Sequence, residues 1–447
     1  MEMDPREDVV AGWRWRLRDR LSRLQLTEPL RRRGASIVAD DFAAMIAGLE
    51  SDPARNLGQT RRSLAGEASL VAGGRAGREQ AAQQNAVLCG WNELDEGYRR
   101  AGCHGGLYTV PAAMAECEAE DRSLADLLTA VIAGYEVAAT VARHLAPEQA
   151  RAVHPHSQLA PIGAAATIAW LRTSDSDAVL SAAEIAAATS PRGSYRLARE
   201  GVLARNLWAG AGASLGFLAA DAAGVGIRAD ARELHDMTVD LEEDDPGWAV
   251  EDGYHKEFAA CQYAHSAIEA AKLLAETFDT SRARKVAVEA HPLAMTLRES
   301  APTTDLGGKF SVPHLVAAVL VTGRTGADVF GERFLHDSAV VRLRENVEMK
   351  PFLPLPPYPL DRPARVAVTL DDGSTHSAEC LSARGGPDNP LSESQLFDKI
   401  EAITQHRAPL FAPTARQLIA GTIPVETPWR QLMNQMMSPC RHSEVGR

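Results

Sequence analysis

The chain has 447 residues, of which 45% are hydrophobic and 24% are charged, and its formal net charge is −12. These proportions are typical of a soluble globular protein, and the length exceeds that of one hydrophobic core, so we expect two domains. The short basic stretches at 13–16 and 31–33 fall in helical patterns and indicate solvated helix faces. Together with the acidic net charge, they argue against nucleic acid as a partner.

Six cysteines are scattered along the chain, at Cys89, Cys103, Cys117, Cys261, Cys380 and Cys440. None of them forms a Cys-x-x-Cys pair or has the spacing of a zinc or iron–sulfur site, so we expect no metal centre. Dispersed thiols are typical of a reducing compartment, and the acidic N-terminus lacks the apolar stretch of a signal peptide. We also expect no segment with the apolar length needed to span a membrane, and these features predict a cytoplasmic protein.

The first half of the chain is predicted to be helical throughout. Helical periodicity marks six segments, at 7–26, 35–49, 78–94, 123–145, 158–171 and 201–224. The last segment contains five glycines, four of which lie among alanines at 210–224. Such small side chains predict an interior helix whose neighbours approach its backbone closely.

The pattern changes at the turn-rich, acidic stretch 244–247, which we interpret as a boundary region. The predicted elements that follow are a helix at 266–278, a strand at 285–290, a helix at 311–322 with Ser311 as its N-cap, a proline-rich connector at 351–363, a hairpin of 365–370 with 375–380, and helices at 392–405 and 415–419. This order predicts a mainly helical body interrupted by a smaller α+β domain.

Two histidines lie in glycine- and proline-rich turns that precede alanine-rich helices. His104 is followed by two glycines, and His154 is followed by Pro155. Imidazole exchanges protons near neutral pH, glycine lets a ligand approach the backbone, and a helix N-terminus favours an anion. The two turns predict proton transfer on a small molecule that carries a carboxylate. The alternative is that both are ordinary surface histidines before helices.

Further candidate residues accompany these histidines. Asp95 lies in a carboxylate-rich helix end and could orient a histidine, whereas Arg205 could clamp a carboxylate through two parallel hydrogen bonds. Lys256, His265 and His314 add cations and imidazoles to the second half. Taken singly, each of these three is more often structural than catalytic.

Five segments, in this order, resemble the MmgE/PrpD family, which includes 2-methylcitrate dehydratase, cis-aconitate decarboxylase and iminodisuccinate epimerase. The segments are Leu94 to Arg99 with His104-Gly105-Gly106 and Pro111-Ala112, His154-Pro155 with Gly163-Ala164-Ala165, Arg205 to Gly210, Lys256 through Cys261 to His265, and Lys309 to His314. Each segment is a weak signal alone, but the resemblance covers most of the chain.

The resemblance implies an all-helical domain built from both chain ends, at 1–252 and 387–447, with an inserted α+β domain at 253–386. It further implies an active site between these domains, a homodimer, and no metal or organic cofactor. The implied catalytic residues are His104 and His154, with Asp95 orienting one of them. The implied substrate-binding residues are Arg205, Lys256, His314, Tyr98 and Cys261.

Several positions depart from the family pattern. Arg205 replaces a lysine, His314 a tyrosine and Trp208 a histidine, while Gly105 replaces a proline and His156-Ser157 replaces Thr-Gly. Arginine keeps the charge but does not exchange protons. We therefore expect a cofactor-independent lyase or isomerase for a small di- or tricarboxylate, with dehydration of a hydroxy acid as the first choice. Epimerisation, decarboxylation and a non-catalytic anion-binding protein remain open.

Overall fold

The computed structural model describes residues 5–60, 65–146, 152–230, 232–235, 237–239 and 247–437, and most of these residues are helical. The α-helices are α1 (Pro5–Ser22), α2 (Glu28–Gly48), α3 (Asp52–Gly58), α4 (Arg78–Trp91), α5 (Gly105–Ala119), α6 (Leu124–His144), α7 (Pro155–Thr173), α8 (Ser176–Thr189), α9 (Tyr195–Arg199), α10 (Trp208–Gly224), α11 (Arg232–His235), α12 (His265–Ala275), α13 (Asp305–Lys309), α14 (Val312–Thr322), α15 (Glu332–Leu335), α16 (Ser338–Arg344), α17 (Glu393–Thr404), α18 (Phe411–Ala420) and α19 (Trp429–Met437).

The small sheet lies in the C-terminal part of the chain. Its strands are β5 (Ala283–Ala290), β6 (Val347–Pro351), β7 (Ala364–Leu370) and β8 (Thr375–Cys380), in the order β6-β5-β7-β8. β5 pairs with β6 in parallel, and the other pairs are antiparallel. Inward side chains of β5 and β7 alternate with more exposed ones, because helices α12 and α14 lie near one face. Two shorter pairs join β1 (Ala68–Ser69) to β2 (Arg75–Ala76) and β3 (Gly97–Tyr98) to β4 (Gly253–Tyr254).

The glycine-rich helix α10 packs closely on α7, as the sequence predicts. A Cβ atom added at Gly212 would meet Ala160 and the backbone of Pro161, and one added at Gly216 would meet Ala164. The missing side chains therefore let the two backbones come together. This contact holds α7, and with it His154, against the segment that carries Arg205.

Helices from the two ends of the chain pack on each other. α17 and α18 contact α2, and α19 contacts α5. The ring of Phe42 lies 4.8 Å from that of Phe411 and 6.5 Å from that of Trp429. A buried ion pair of 2.6 Å joins Lys399 to Asp40. The C-terminal helices thus complete the core that the N-terminal helices begin.

Most of the predicted elements are present, with shifted ends. The strands at 285–290, 365–370 and 375–380 are confirmed, and Ser311 caps α14 by accepting a hydrogen bond from the His314 backbone N–H at 3.1 Å. The helix expected over 201–224 is not continuous, because Leu203–Leu207 forms a 3-10 turn before α10. The sequence did not predict α8 or β6. Of the expected boundary at 244–247, only Gly247 lies within the described residues.

The expectation that no segment has the apolar length of a membrane span is wrong for one helix. α6 is long and apolar enough to cross a bilayer, and no other described helix is. Most of α6 is buried inside the protein, and it begins with a capping box of Ser123 and Asp126. Both features are those of a core helix, which needs apolar residues on all sides because other helices surround it.

Candidate active site

His104 and His154 are the N-cap residues of α5 and α7, so the helix positions each ring. The Nδ1 atom of His154 accepts a hydrogen bond of 3.2 Å from the His156 backbone N–H. At Gly105, the first residue of α5, an added Cβ atom would run into the Tyr135 ring. The glycine after His104 is thus required for the close approach of α5 to α6.

Both histidines line one cavity of about 440 Å³, a size suited to a small molecule. The described residues around it come from the helical part of the chain and from the segment 261–310. They are Glu93, Gly102, His104, Ala142, Leu145, Val153, His154, Pro155, Tyr195, Arg199, Arg205, Cys261, Gln262, Tyr263, Leu293, Thr296 and Phe310. Charged groups and imidazoles therefore meet apolar side chains at one concave surface.

Four buried ions lie beside this cavity. Glu93 contacts Arg205 at 2.6 Å and Lys256 at 3.2 Å, and Lys256 also contacts Asp95 at 3.3 Å. Burial alone raises the pKa of Glu93, but the charges of Arg205 and Lys256 outweigh it and lower the pKa to about 2. Glu93 also has a φ of 56°, a left-handed conformation that is uncommon outside glycine. The strained turn directs its carboxylate between the two cations.

His104 and Asp95 form a buried pair with 2.6 Å between Nδ1 and Oδ2. Burial raises the pKa of Asp95, but Lys256 and His104 together hold it below its usual range. The carboxylate is therefore ionised and accepts, so Nδ1 of His104 carries the hydrogen. Burial lowers the pKa of His104 although Asp95 opposes this, which leaves a neutral ring with a lone pair on Nε2.

His154 and a third imidazole, His156, lie around Arg205. The Arg205 Nη2 atom is 2.9 Å from Nε2 of His156, and Nε of Arg205 is 3.3 Å from Nε2 of His154. The His156 ring centroid is 4.6 Å from that of His104 and 4.5 Å from that of His154. Burial, followed by the charge of Arg205, lowers the pKa of His154 and His156 well below the usual value. Both rings are therefore neutral at neutral pH.

The structure separates the five predicted substrate-binding residues. Arg205 and Cys261 line the cavity, whereas Lys256 is fully buried behind it among carboxylates. Tyr98 and His314 are absent from the described lining. The hydroxyl of Tyr98 accepts a hydrogen bond of 2.8 Å from Arg143, and Nδ1 of His314 lies 3.4 Å from Arg344.

Glu93, His156 and Tyr195 also belong to the site, although the sequence did not single them out. The ring of Tyr195 stacks on His154 at 5.0 Å, and its hydroxyl hydrogen-bonds with the thiol of Cys261. His156 carried one weak signal, since it replaces a threonine of the family pattern. Glu93 lies two residues before Asp95, but only its contacts with Arg205 and Lys256, which are far away along the chain, distinguish it from a solvated acid.

Within the described ranges, no group of three or more His, Cys, Asp or Glu residues could hold a metal ion.

Two family models match the chain: the MmgE/PrpD N-terminal domain over residues 19–238 and the MmgE/PrpD C-terminal domain over residues 258–420. None of the curated proteins compared with the chain matches it. The N-terminal match precedes the C-terminal match along the chain, and together they cover most of the sequence. The chain therefore belongs to the MmgE/PrpD family.

Proposed function

We propose that the protein is a cofactor-independent lyase or isomerase that moves a proton next to a carboxylate of a small di- or tricarboxylate, with dehydration of a hydroxy acid as the main reaction. Its family has dehydratase- or lyase-like functions on small organic acids, which supports the reaction class. One observation carries the proposal further. A histidine paired with a carboxylate and a histidine paired with an arginine line the same cavity.

His104 is the proposed base. Its Nδ1 hydrogen is held by Asp95, so the lone pair on Nε2 is available to take a proton. The ionised carboxylate then stabilises the imidazolium that forms. The neighbouring Lys256 keeps Asp95 ionised, and this is the role that we assign to Lys256 in place of direct contact with substrate.

His154 is the proposed hydrogen-bond donor to the departing hydroxyl, and the proton that converts this hydroxyl into water comes from the His104 imidazolium formed in the first step. Both of its nitrogens face donors, Arg205 at Nε2 and the His156 backbone at Nδ1, although a neutral imidazole can accept at only one nitrogen. The Arg205 contact is the longer of the two. When a substrate carboxylate accepts the hydrogen bond of the Arg205 Nε–H instead, Nε2 of His154 can carry a hydrogen and donate a hydrogen bond with it.

Arg205 supplies the fixed positive charge that this chemistry needs. Removal of a proton next to a carboxylate places negative charge on the carboxylate oxygens, and a preorganised cation in a site that excludes water stabilises that charge. Arg205 is only 1% exposed and is held by Glu93, so its guanidinium is preorganised. An arginine cannot itself exchange the proton, which leaves that task to the histidines.

The test is incubation of the pure protein with a panel of hydroxy and unsaturated di- and tricarboxylates in D₂O. We expect deuterium at an α-carbon or a new alkene, and loss of both with His104→Ala or His154→Ala. His336→Ala is the matched control, because His336 is exposed and outside the described cavity lining, and it should behave as wild type. No exchange and no turnover across the panel would refute the proposed reaction.

The same assay separates the alternatives. Exchange with inversion but no alkene favours an epimerase, and release of CO₂ favours a decarboxylase. Tight anion binding without any isotope exchange favours a non-catalytic descendant, an alternative that the substitutions at Arg205, Trp208 and His314 motivate.

The domain arrangement and assembly belong to the same proposal. We infer a helical domain from 1–252 and 387–447 with an inserted domain at 253–386, and the packing of α17 and α18 on α2 supports it. We also infer a homodimer in the cytoplasm, on the strength of the family resemblance. Light scattering of the purified protein tests the dimer, and a mass of one chain would refute it.

A further inference from the structure

The charges beside the cavity balance before any substrate binds. Arg205 and Lys256 are paired with Glu93 and Asp95, two positive groups with two negative ones. A substrate with two or more carboxylates adds further negative charge to this buried site. Burial of such a charge is costly unless another cation meets it.

Arg199 is a cation that lines the same cavity. Its Nε atom is buried and has no hydrogen-bond partner among the described residues, and no described carboxylate lies within ion-pair distance of its guanidinium. The Arg199 guanidinium contacts the ring of Tyr195, whose centroid is 5.9 Å from the guanidinium carbon. Arg196, on the same helix α9, differs in both respects, because it is exposed and forms an ion pair with Glu200.

The position of Arg199 suits the far end of a bound acid. The ring of Tyr195 stacks on His154 at 5.0 Å and lies 5.9 Å from the Arg199 guanidinium carbon. The Arg199 guanidinium carbon is therefore within about 11 Å of the His154 ring, and both groups contact the ring of Tyr195.

We propose that Arg199 is a specificity-determining residue that binds a second carboxylate of the substrate, beside Tyr195 in the cavity that His154 also lines. The inference rests on the proposed function and narrows it to acids with a carboxylate remote from the reacting carbon. A guanidinium binds a carboxylate through two parallel N–H···O bonds, which fixes the orientation of the acid as well as its affinity.

Binding calorimetry with linear diacids tests this residue without any need for turnover. The probes are malonate, succinate, glutarate and adipate, each compared with its monoamide, which has the same shape and one charge less. For the diacid that fits, we expect wild type to bind the diacid about 10–100-fold more tightly than the monoamide, as for a hydrogen-bonded charged pair. Arg199→Gln should bring this ratio close to one, Arg199→Lys should keep part of it, and Arg196→Gln should leave it unchanged.

Three outcomes overturn the assignment: equal ratios in Arg199→Gln and wild type, equal weakening of the diacid and the monoamide, and no saturable diacid binding by wild type. A melting temperature for Arg199→Gln close to that of wild type shows that the variant is folded. Deuterium exchange on the same acids separates the two proposals. Exchange without discrimination at residue 199 refutes only the role of Arg199, and discrimination without exchange refutes only the proposed reaction.

Discussion

Replacement of Asp95 with asparagine removes the negative charge that faces Nδ1 of His104 while keeping nearly the same shape. The two atoms are 2.6 Å apart and the Asp95 side chain is fully buried, so solvent screens their interaction weakly. The charge matters when His104 takes a proton, because the carboxylate then stabilises an imidazolium. Asp95→Asn should therefore slow proton transfer while Arg205 remains in place to bind substrate.

The geometry gives the size of the effect. Two unit charges about 4 Å apart attract each other by about 4 kcal/mol at an effective dielectric constant of about 20. A full loss of this attraction in the transition state corresponds to about a thousandfold in rate, and a partly formed charge to about a hundredfold. We expect kcat to fall by a factor in this range, with a much smaller change in KM.

The pH dependence gives a second readout. Burial lowers the pKa of His104, and the charge of Asp95 opposes that decrease. Without the carboxylate, the pKa of His104 falls further, also because Lys256 then lacks one of its counter-charges. A base works in its deprotonated form, so the acidic limb of kcat/KM moves to lower pH even though the plateau is lower.

Asp41→Asn is the matched control. Asp41 is also fully buried, but burial together with neighbouring carboxylates raises its pKa well above the usual value, so it keeps its proton up to a higher pH than Asp95 does. Replacement by the neutral amide should leave both the rate and the pH profile nearly unchanged. The comparison uses initial rates from pH 5 to 9. Equal losses in Asp41→Asn and Asp95→Asn, or an unshifted acidic limb in Asp95→Asn, would refute the role given to Asp95.

Three further predictions concern stability, and urea unfolding measures each. Glu93→Gln leaves two buried cations underpaired and should cost about 3–5 kcal/mol, and a loss below about 1 kcal/mol would contradict the buried network. Glu28→Gln, which removes an exposed partner of Arg31 and Arg32, should cost much less because solvent screens that pair. Gly216→Ala should destabilise the protein by about 1–3 kcal/mol, because the added Cβ atom meets the facing helix α7. Gly224→Ala on the same helix adds its Cβ atom in open space and should be neutral or stabilising, so equal effects of the two substitutions would contradict the close packing of α10 on α7. Burial raises the pKa of Glu96 to about 8, so the folded state holds this proton up to a higher pH than the unfolded chain does, and the stabilising contribution of the proton is lost as pH rises from about 5 to 8. The difference in stability between wild type and Glu96→Gln should therefore change across this range, and a constant difference would exclude the contribution of Glu96.

Local signals in the sequence predicted several elements with little error. The turn residues Asp371-Asp372-Gly373-Ser374 indicate the hairpin, and its strands β7 and β8 match the predicted ones within a residue. His104 and His154 were predicted to precede helices, and both are N-caps. Each of these features depends on a few consecutive residues whose backbone preferences act locally, so a pattern within one window is enough.

The structure alone decided which side chains meet at the cavity. Arg205 pairs with Glu93, and Lys256 reaches the same carboxylate from a third segment. Neither contact leaves a trace in local periodicity, because each depends on packing between distant segments, such as that of α10 on α4. Packing between distant segments also decides the position of His314, which the family resemblance predicts to bind substrate. Its Nδ1 atom lies 3.4 Å from Arg344, and the residue is outside the described cavity lining.

The sequence by itself thus determined the mainly helical composition, the small α+β part and the family. The tertiary structure decided the charge balance of the cavity, the neutral state of its imidazoles and the position of Arg199. The physical reason is that helix caps and turns follow from short-range backbone preferences. The pKa of a buried group, in contrast, depends on desolvation and on charges that only the folded chain brings within a few ångströms.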